Sequence, residues 1–368
     1  MRDADVIVAG GGPAGSAAAA RLAEAGARVI LVERTEGPHD KVCGEFVSGD
    51  AWKLLADLGL GQGQTDAVPI RRMRLVRGQR TTQATLPFAA AGLSRRSLDE
   101  RLLDTAGARG AEIIRGRSVR TAVVIPGGVA VSLSSGAALT AQALFLATGK
   151  HELRGHARPP AVQNRMIGLK TWLDLTPAAA RTLEGEVWLL LFEGGYAGLQ
   201  PVGDNRANLC LLVTRDRYQA FGRSWPRLLS ALAAGSPLLA DCLAGARLHC
   251  AGRPLAIYGI PFGHVAQPQG GRIFRLGDQM AVIPSFAGNG IAMALWSGRR
   301  AADTFLTSGA DSARWHALAA RRFGPRVRAA AWTARALERP SAQALAMTAA
   351  GAAPSLLGWA AAATRLAQ

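Results

Sequence analysis

Residues 5–33 read DVIVAGGGPAGSAAAARLAEAGARVILVE, and the order of pieces within this stretch decides the fold. Asp5–Ala9 is a short apolar run rich in β-branched side chains, which predicts a buried parallel strand. The turn Gly10-Gly11-Gly12-Pro13-Ala14-Gly15 satisfies G-x-G-x-x-G. Ser16–Ala25 is alanine-rich with Leu22, a good helix former. Gly26 stops that helix. Ala27–Val32 predicts a second strand, which ends at Glu33, 18 residues after Gly15.

Each position has a physical reason. Gly10 permits the tight turn, Gly12 lets backbone approach a pyrophosphate, and Gly15 lets helix and strand pack closely. Pro13 and Ala14 sit where the helix begins, and its free N–H groups and positive dipole end face the phosphates. Glu33 can accept a hydrogen bond from a ribose hydroxyl and would repel a 2′-phosphate; Arg34 follows it and joins the candidate cofactor contacts. Strand, turn, helix, second strand and acid arriving in order within about 30 residues predict a Rossmann-type dinucleotide site.

The far end of the chain decides which dinucleotide. Gly271–Leu276 (GRIFRL) predicts a strand ending in Gly277-Asp278. A loop with Pro284 follows, then Gly288-Asn289-Gly290, then a helix over Ile291–Phe305. Asp278 is placed to bond the ribityl hydroxyls of a flavin. The helix start at Gly288–Ile291 faces the flavin's pyrimidine edge and stabilises negative charge on a reduced ring. FAD is therefore the expected cofactor, with NAD(P)H as the expected electron donor. An NAD-only dehydrogenase leaves the Gly-Asp segment unexplained.

Over roughly residues 1–305 the chain resembles the FAD-dependent oxidoreductases of the geranylgeranyl reductase and aromatic hydroxylase (flavin monooxygenase) superfamily. GGGPAGSAAAARLAEAGARVILVER, RRSLDERLL and GDQMAVIPSFAGNGIAMAL carry the resemblance. It implies that Arg95, with Arg96 a close second, approaches the flavin, and that Asp278 is the Gly-Asp carboxylate. It also implies that the loop Lys41-Val42-Cys43-Gly44-Glu45-Phe46 lies near the isoalloxazine. Cys43 would then protonate a substrate or tune the flavin, or fill space as a small apolar residue. Glu45 is an acid/base candidate or a surface charge. Lys41 reaches cofactor phosphate or is solvated.

The expected architecture is α/β: a Rossmann-type FAD-binding domain with an inserted antiparallel β-sheet substrate domain and a C-terminal helical segment. Segments 1–68, 94–159 and 266–335 would form the discontinuous FAD-binding domain. Segments 69–93 and 160–265 would form the substrate domain, with strand-like stretches at Met166–Leu175, Glu186–Phe192 and Ala207–Val213, and a helical stretch at Trp225–Leu243. Residues 336–368 would form the helical segment, read as part of a packed helix pair or as a membrane-surface helix.

Gly194-Gly195-Tyr196-Ala197-Gly198-Leu199-Gln200-Pro201 falls where prenyl reductases carry a YxWxFP-like signature and flavin halogenases a WxWxIP-like one. Tyr196 and Pro201 match the reductase pattern, while Gly198 and Gln200 replace two aromatic walls. This argues against a tryptophan-type halogenase and implies a widened or repolarised pocket. Tyr196 is a candidate catalytic residue, as pocket wall or proton donor, or else a half-buried sheet aromatic. Aromatic hydroxylases carry an Asp-Gly motif where this chain has Thr148-Gly149-Lys150-His151; Lys150 and His151 are candidates to replace it electrostatically, His151 being otherwise structural or exposed. His264 is expected at the pocket border. Trp172, Trp188, Phe192, Tyr196, Phe262 and Phe286 are candidates for an apolar substrate cavity, with two or three expected to touch substrate and most of them core residues.

Composition sets the outer limits. The 368 residues are 49% hydrophobic and carry a formal net charge of +17. The cations are almost all arginine and are scattered rather than interleaved with aromatics, so nucleic-acid binding is not expected. Cys43, Cys210, Cys242 and Cys250 form no CxxC and no zinc spacing, and no Ser-His-Asp signature is present. Asp3 and Asp5 beside the first apolar run predict no secretory signal, and no run is long enough for a transmembrane helix. The expected setting is the cytoplasm.

The leading expectation is a monooxygenase that hydroxylates an apolar aromatic or polyketide-derived small molecule. The alternative is a flavin-dependent reductase of prenyl or enone double bonds. A flavoprotein acting only as a binding or maturation subunit is the third.

Overall fold

The computed structural model describes residues 2–159, 166–203, 205–250, 252–363 and 365. Val6–Ala9 and Val29–Glu33 are buried along their whole length. Branched side chains on both faces suit a strand covered on each side by other layers. The two pair in parallel, Val8 opposite Leu31, and Ala143–Leu146 flanks the first strand with Phe145 opposite Val8. Ile273–Arg275 and Glu112–Arg115 close the two edges of a five-stranded parallel sheet. The sheet thus joins segments far apart in sequence. The helix Pro13–Glu24 packs against the helix Gly290–Ser308. Alanines along the first helix let their axes approach, and both helices start beside the same strand ends.

The second layer is a nine-stranded sheet. Its main path runs Arg247–Leu248, Met166–Asp174, Arg206–Thr214, Gly195–Gly203, Glu186–Phe192, Val68–Arg77, Arg80–Gly92 and Phe46–Ser48; Leu255–Tyr258 also pairs with Met166–Asp174. It departs from the sequence expectation in two ways. The pairing of Glu186–Leu190 with Arg72–Val76 is parallel, so the sheet is mixed. Phe46–Ser48, read with segment 1–68, pairs with Ala90–Gly92 in the large sheet instead. Three residues are too short to show a strand period, and Val47 is drawn in by complete burial.

Trp225–Leu243 is helical but broken: Trp225–Ala234 and Pro237–Leu243 are separate, the second capped by Ser236 through Leu239 N–H. A proline cannot continue the preceding helix and is suited to the first turn of the next. These helices cover one face of the large sheet over a core that includes Trp188, Leu190, Leu209 and Trp225.

The C-terminal part forms three helices, Ala313–Ala336, Pro340–Ala352 and Ser355–Ala363. Met347, Ala350 and Leu357 are buried against Leu75, Leu191 and Tyr196 of the large sheet. The expected boundary at 159/160 and residues 366–368 touch positions outside the described residues. Among the described residues, no single helix is long and apolar enough to cross a membrane.

Candidate functional site

A cavity of about 400 Å³ lies where the ends of the parallel strands meet the large sheet. Its wall brings together Gly12, Pro13, Ala14, Arg34, Cys43, Arg95, Gly277, Asp278, Gly288, Gly290 and Ile291. These come from both ends of the sequence and from its middle. Gly10, Gly15, Glu33, Pro284 and Asn289 do not line the cavity; they stand behind its wall.

The Gly-rich turn is shaped by close approach. Gly10 has φ +107°, and a Cβ there would lie 2.5 Å from the Ala147 carbonyl oxygen. A Cβ on Gly15 would lie 1.9 Å from the Gly10 carbonyl oxygen. Only hydrogen fits either place. The helix that follows starts at Pro13 with no side-chain cap. Its first N–H groups are therefore available to an acceptor in the cavity.

Two cations converge on this turn. A Cβ built on Gly12 would stand 3.7 Å from Arg95 Nη2 and 3.9 Å from Lys41 Nζ. Both are oriented by one buried carboxylate: Asp99 accepts at 2.7 Å from Arg95 Nε and Nη2 and at 2.7 Å from Lys41 Nζ. Burial opposes charge on Arg95, but Asp99 and the hydrogen-bonded Cys43 sulfur outweigh it and raise its pKa. Burial likewise opposes charge on Asp99, and the two cations override it and lower its pKa. The result is a fixed ionic triad with net positive charge over a helix N-terminus, which suits a pyrophosphate.

Glu33 lies behind the turn, 4% exposed. It accepts from Gly11 N–H at 2.8 Å and from Thr35 N–H and Oγ1. Burial resists its ionisation, but these donors and Lys41 hold its pKa below the usual carboxylate value. It remains a charged acceptor with lone pairs to spare for a ribose. At the other end, Gly277 N–H donates to Ser297 Oγ, and the Asp278 backbone carbonyl accepts from Arg158. These contacts fix the backbone while the Asp278 residue lines the cavity. The phosphate-binding turn, the cations and the Asp278 residue line one cavity, with the ribose acceptor Glu33 directly behind the turn. These residues fit FAD.

The Cys43 loop is held with unusual completeness. Three successive carbonyls each receive a side-chain donor: Lys41 O from Lys170 Nζ, Val42 O from Lys150 Nζ, and Cys43 O from Asn208 Nδ2. Glu45 closes the loop. It is fully buried with φ +59°, a strained conformation for a non-glycine residue. Its carboxylate accepts from Lys170 Nζ at 2.7 Å, from Arg95 N–H at 2.9 Å and from Trp172 Nε1 at 3.2 Å. Lys170 is also fully buried and lies 4.1 Å from the Trp172 ring centre. This network holds Cys43 in the cavity wall, with Glu45 N–H donating to its sulfur.

Several expectations are corrected. Glu45 is not a surface charge but half of a buried ion pair. Lys150, expected as an electrostatic stand-in, lines the cavity and also donates to the Val42 carbonyl. Tyr196 does not line this cavity. It lines a neighbouring one of about 420 Å³, together with Phe262, Leu212 and residues of the Ala313–Ala336 helix. There its hydroxyl accepts from Phe286 N–H, and burial raises its pKa. Trp188 and Phe192 face the helices on the opposite side of the sheet, because strand alternation puts residues 188, 190 and 192 together. Of the six aromatic candidates, Phe262 alone lines the first cavity. His264 is absent from that wall; burial lowers its pKa to about 4. His151 does line it. Leu212, Ile257, Ile260, Val282 and Ile283 form an aliphatic part of the wall.

The signal for Asp99 was available as an Arg-x-x-x-Asp helical spacing at 95 and 99. Lys170 and Asn208 had none, because each sits alone in an apolar strand.

The FAD binding domain family matches residues 3–189. The menaquinone reductase of Mycobacterium tuberculosis H37Rv is 27% identical over 342 residues, covering 87% of this chain and 81% of that protein. Digeranylgeranylglycerophospholipid reductase 2 of Methanosphaera stadtmanae is 26% identical over 316 residues, covering 81% and 76%. Among solved structures, PqsL of Pseudomonas aeruginosa, a "probable FAD-dependent monooxygenase", superposes with a TM-score of 0.75 at 16% identity, covering 93% of this chain and 98% of that one.

Proposed function

The chain belongs to the FAD binding domain family, and on that premise we propose that it is an FAD-dependent oxidoreductase that saturates a double bond in an apolar, prenyl- or enone-type substrate. The observation that carries this reading is the pair of cavities. Cys43 and Asp278 line the first, and Leu212 and Phe262 line both it and its neighbour. A long apolar molecule would have its reacting end near Cys43 and its tail toward the Ala313–Ala336 helix. The two reductases above, matched along most of their length, act on substrates of that kind according to their names.

Bound FAD, charged by NAD(P)H, supplies the hydride for such a reaction. The rest falls to the chain. Gly12, Arg95 and Lys41 would hold the phosphates, and Asp278 the ribityl chain. The Gly290 helix start would offer its positive dipole end to the flavin ring. Ile257, Ile260, Val282 and Ile283 exclude water and present the substrate. Cys43 Sγ gives the proton that completes saturation, and the Arg95 guanidinium beside the sulfur stabilises the thiolate left behind. The thiol is then restored from solvent. A cytoplasmic setting suits this use, since all four cysteines are free thiols.

A second reading is hydroxylation of an apolar aromatic substrate. It is favoured by Gly198, where an added Cβ would meet nothing nearer than the Cys210 carbonyl oxygen at 3.8 Å. That space stands where the reductase signature carries an aromatic side chain, on the strand that also carries Tyr196.

Oxygen separates the two. With NAD(P)H and a prenylated quinone under nitrogen, the reductase reading expects a product two hydrogens heavier and no substrate-linked oxygen uptake in air. Cys43→Ala should then lower saturation about a hundredfold, the low end for a positioned proton donor because water partly replaces the thiol, with flavin content unchanged. Turnover that requires oxygen and adds one oxygen atom would establish hydroxylation instead.

A further inference from the structure

From Pro340 to Ala363 the sequence has no charged residue. That run is not hidden. Leu345 and Trp359 are each 71% exposed and Leu356 is 45% exposed. Their helices are seated on the large sheet by Met347, Ala350 and Leu357, which are buried. The two helices therefore turn an uncharged face outward. Water-facing surfaces ordinarily carry about 25–35% charged residues, so this face is not built for water.

Its surroundings are the reverse. Between Ala313 and Arg365 there are eight arginines against a single acid, Glu338. Arg328, Arg335 and Arg339 are exposed on the approach to the uncharged run. Trp332, 72% exposed, stands among them. Tryptophan beside arginine, next to an apolar face, is the composition that settles at the boundary between lipid headgroups and acyl chains.

We propose that the outer face of Pro340–Ala363 lies on the surface of an anionic lipid bilayer. Leu345, Leu356 and Trp359 enter the headgroup boundary, and Arg328, Arg335 and Arg339 meet lipid phosphates. The chain rests on the membrane and does not cross it. The two helices have 13 and 9 residues, are bent by 117° at their junction and are held by the sheet on their other side. Charge selects this occupant over a second copy of the chain, which would bring the same arginines and the same +17 against itself. The inference does not rest on which reaction the flavin performs. It does put the Arg335–Arg339 rim of the second cavity beside the bilayer, where an apolar substrate resides.

Flotation of the full, flavin-loaded chain with vesicles tests this. The chain is expected to float with phosphatidylcholine vesicles containing phosphatidylglycerol, less with phosphatidylcholine alone, and less again as salt is raised. The double variant Leu345→Ser/Trp359→Ser should bind about tenfold more weakly, and Arg335→Gln/Arg339→Gln should lose the preference for anionic lipid. Both should keep their flavin and their melting temperature, which separates lost docking from lost fold. Two results overturn the proposal: no flotation with anionic vesicles, or flotation of Leu345→Ser/Trp359→Ser equal to wild type. Self-association that this double variant abolishes, in a chain that ignores vesicles, would assign the face to a second copy instead.

Discussion

Gly15→Ala is expected to give a colourless protein that takes up no FAD. The added Cβ would lie 1.9 Å from the Gly10 carbonyl oxygen, 3.1 Å from the Gly10 carbonyl carbon and 3.1 Å from Val8 Cγ1. Overpacking a core usually costs about 1–3 kcal/mol because side chains can shift. Here the obstacle is the backbone of the phosphate turn itself, so the helix must move off the strand. The N–H groups at its start then no longer converge with Arg95 and Lys41 on one point. Visible absorbance of the purified protein and an FAD titration measure the loss. Gly351→Ala is the control, because nothing lies within 4 Å of a Cβ there and alanine is the better helix residue. A yellow Gly15→Ala protein with wild-type affinity would show that the turn does not hold the phosphates.

Lys170→Met should have the next largest effect, on stability. It leaves the Glu45 carboxylate buried with its cation removed, in a site where both side chains are fully excluded from solvent. Breaking a buried pair from one side costs about 3–5 kcal/mol, whereas replacing both partners costs far less. Lys170→Met and Glu45→Gln are each expected to destabilise strongly, and the double variant to recover part of that loss. Denaturant unfolding of the four proteins gives the coupling directly. Lys170→Met also frees the Lys41 carbonyl, so in that variant the Cys43 loop should loosen and flavin affinity fall. Single-variant losses within about 0.5 kcal/mol, the range of ordinary surface changes, would mean the pair is not a structural tie.

What could be read in the sequence was what is local. The Gly10–Glu33 unit depends on strand, turn and helix signals a few residues apart, and the structure assembles it as those signals demand. The Gly277-Asp278 turn and the Gly290 helix were legible for the same reason. The walls of the cavity were not. Ile257, Ile260, Val282 and Ile283 look like any core aliphatic, because an apolar side chain facing a cavity and one facing a neighbour obey the same strand period. The aromatics misled by their size: Trp188 and Phe192 are large, but alternation turns them toward the helices, and Tyr196 faces the next hollow. The Glu45–Lys170 pair escaped because its members lie far apart in sequence and a buried lysine in a strand carries no motif. The uncharged outer face of the last two helices shows in the sequence only as a gap in charge. Its exposure needed the packing of Met347, Ala350 and Leu357 on the sheet.

The central claim is that one dinucleotide spans the Gly12 turn and Asp278. Calorimetric titration of the flavin-stripped, refolded chain with FAD tests it most directly, alongside Asp278→Ala. Saturation at one FAD per chain, with affinity about tenfold weaker in the variant for the loss of a hydrogen bond to a charged acceptor, is the predicted result. A correctly folded wild-type chain that takes up no FAD, or a variant that binds it as tightly as wild type, would contradict it.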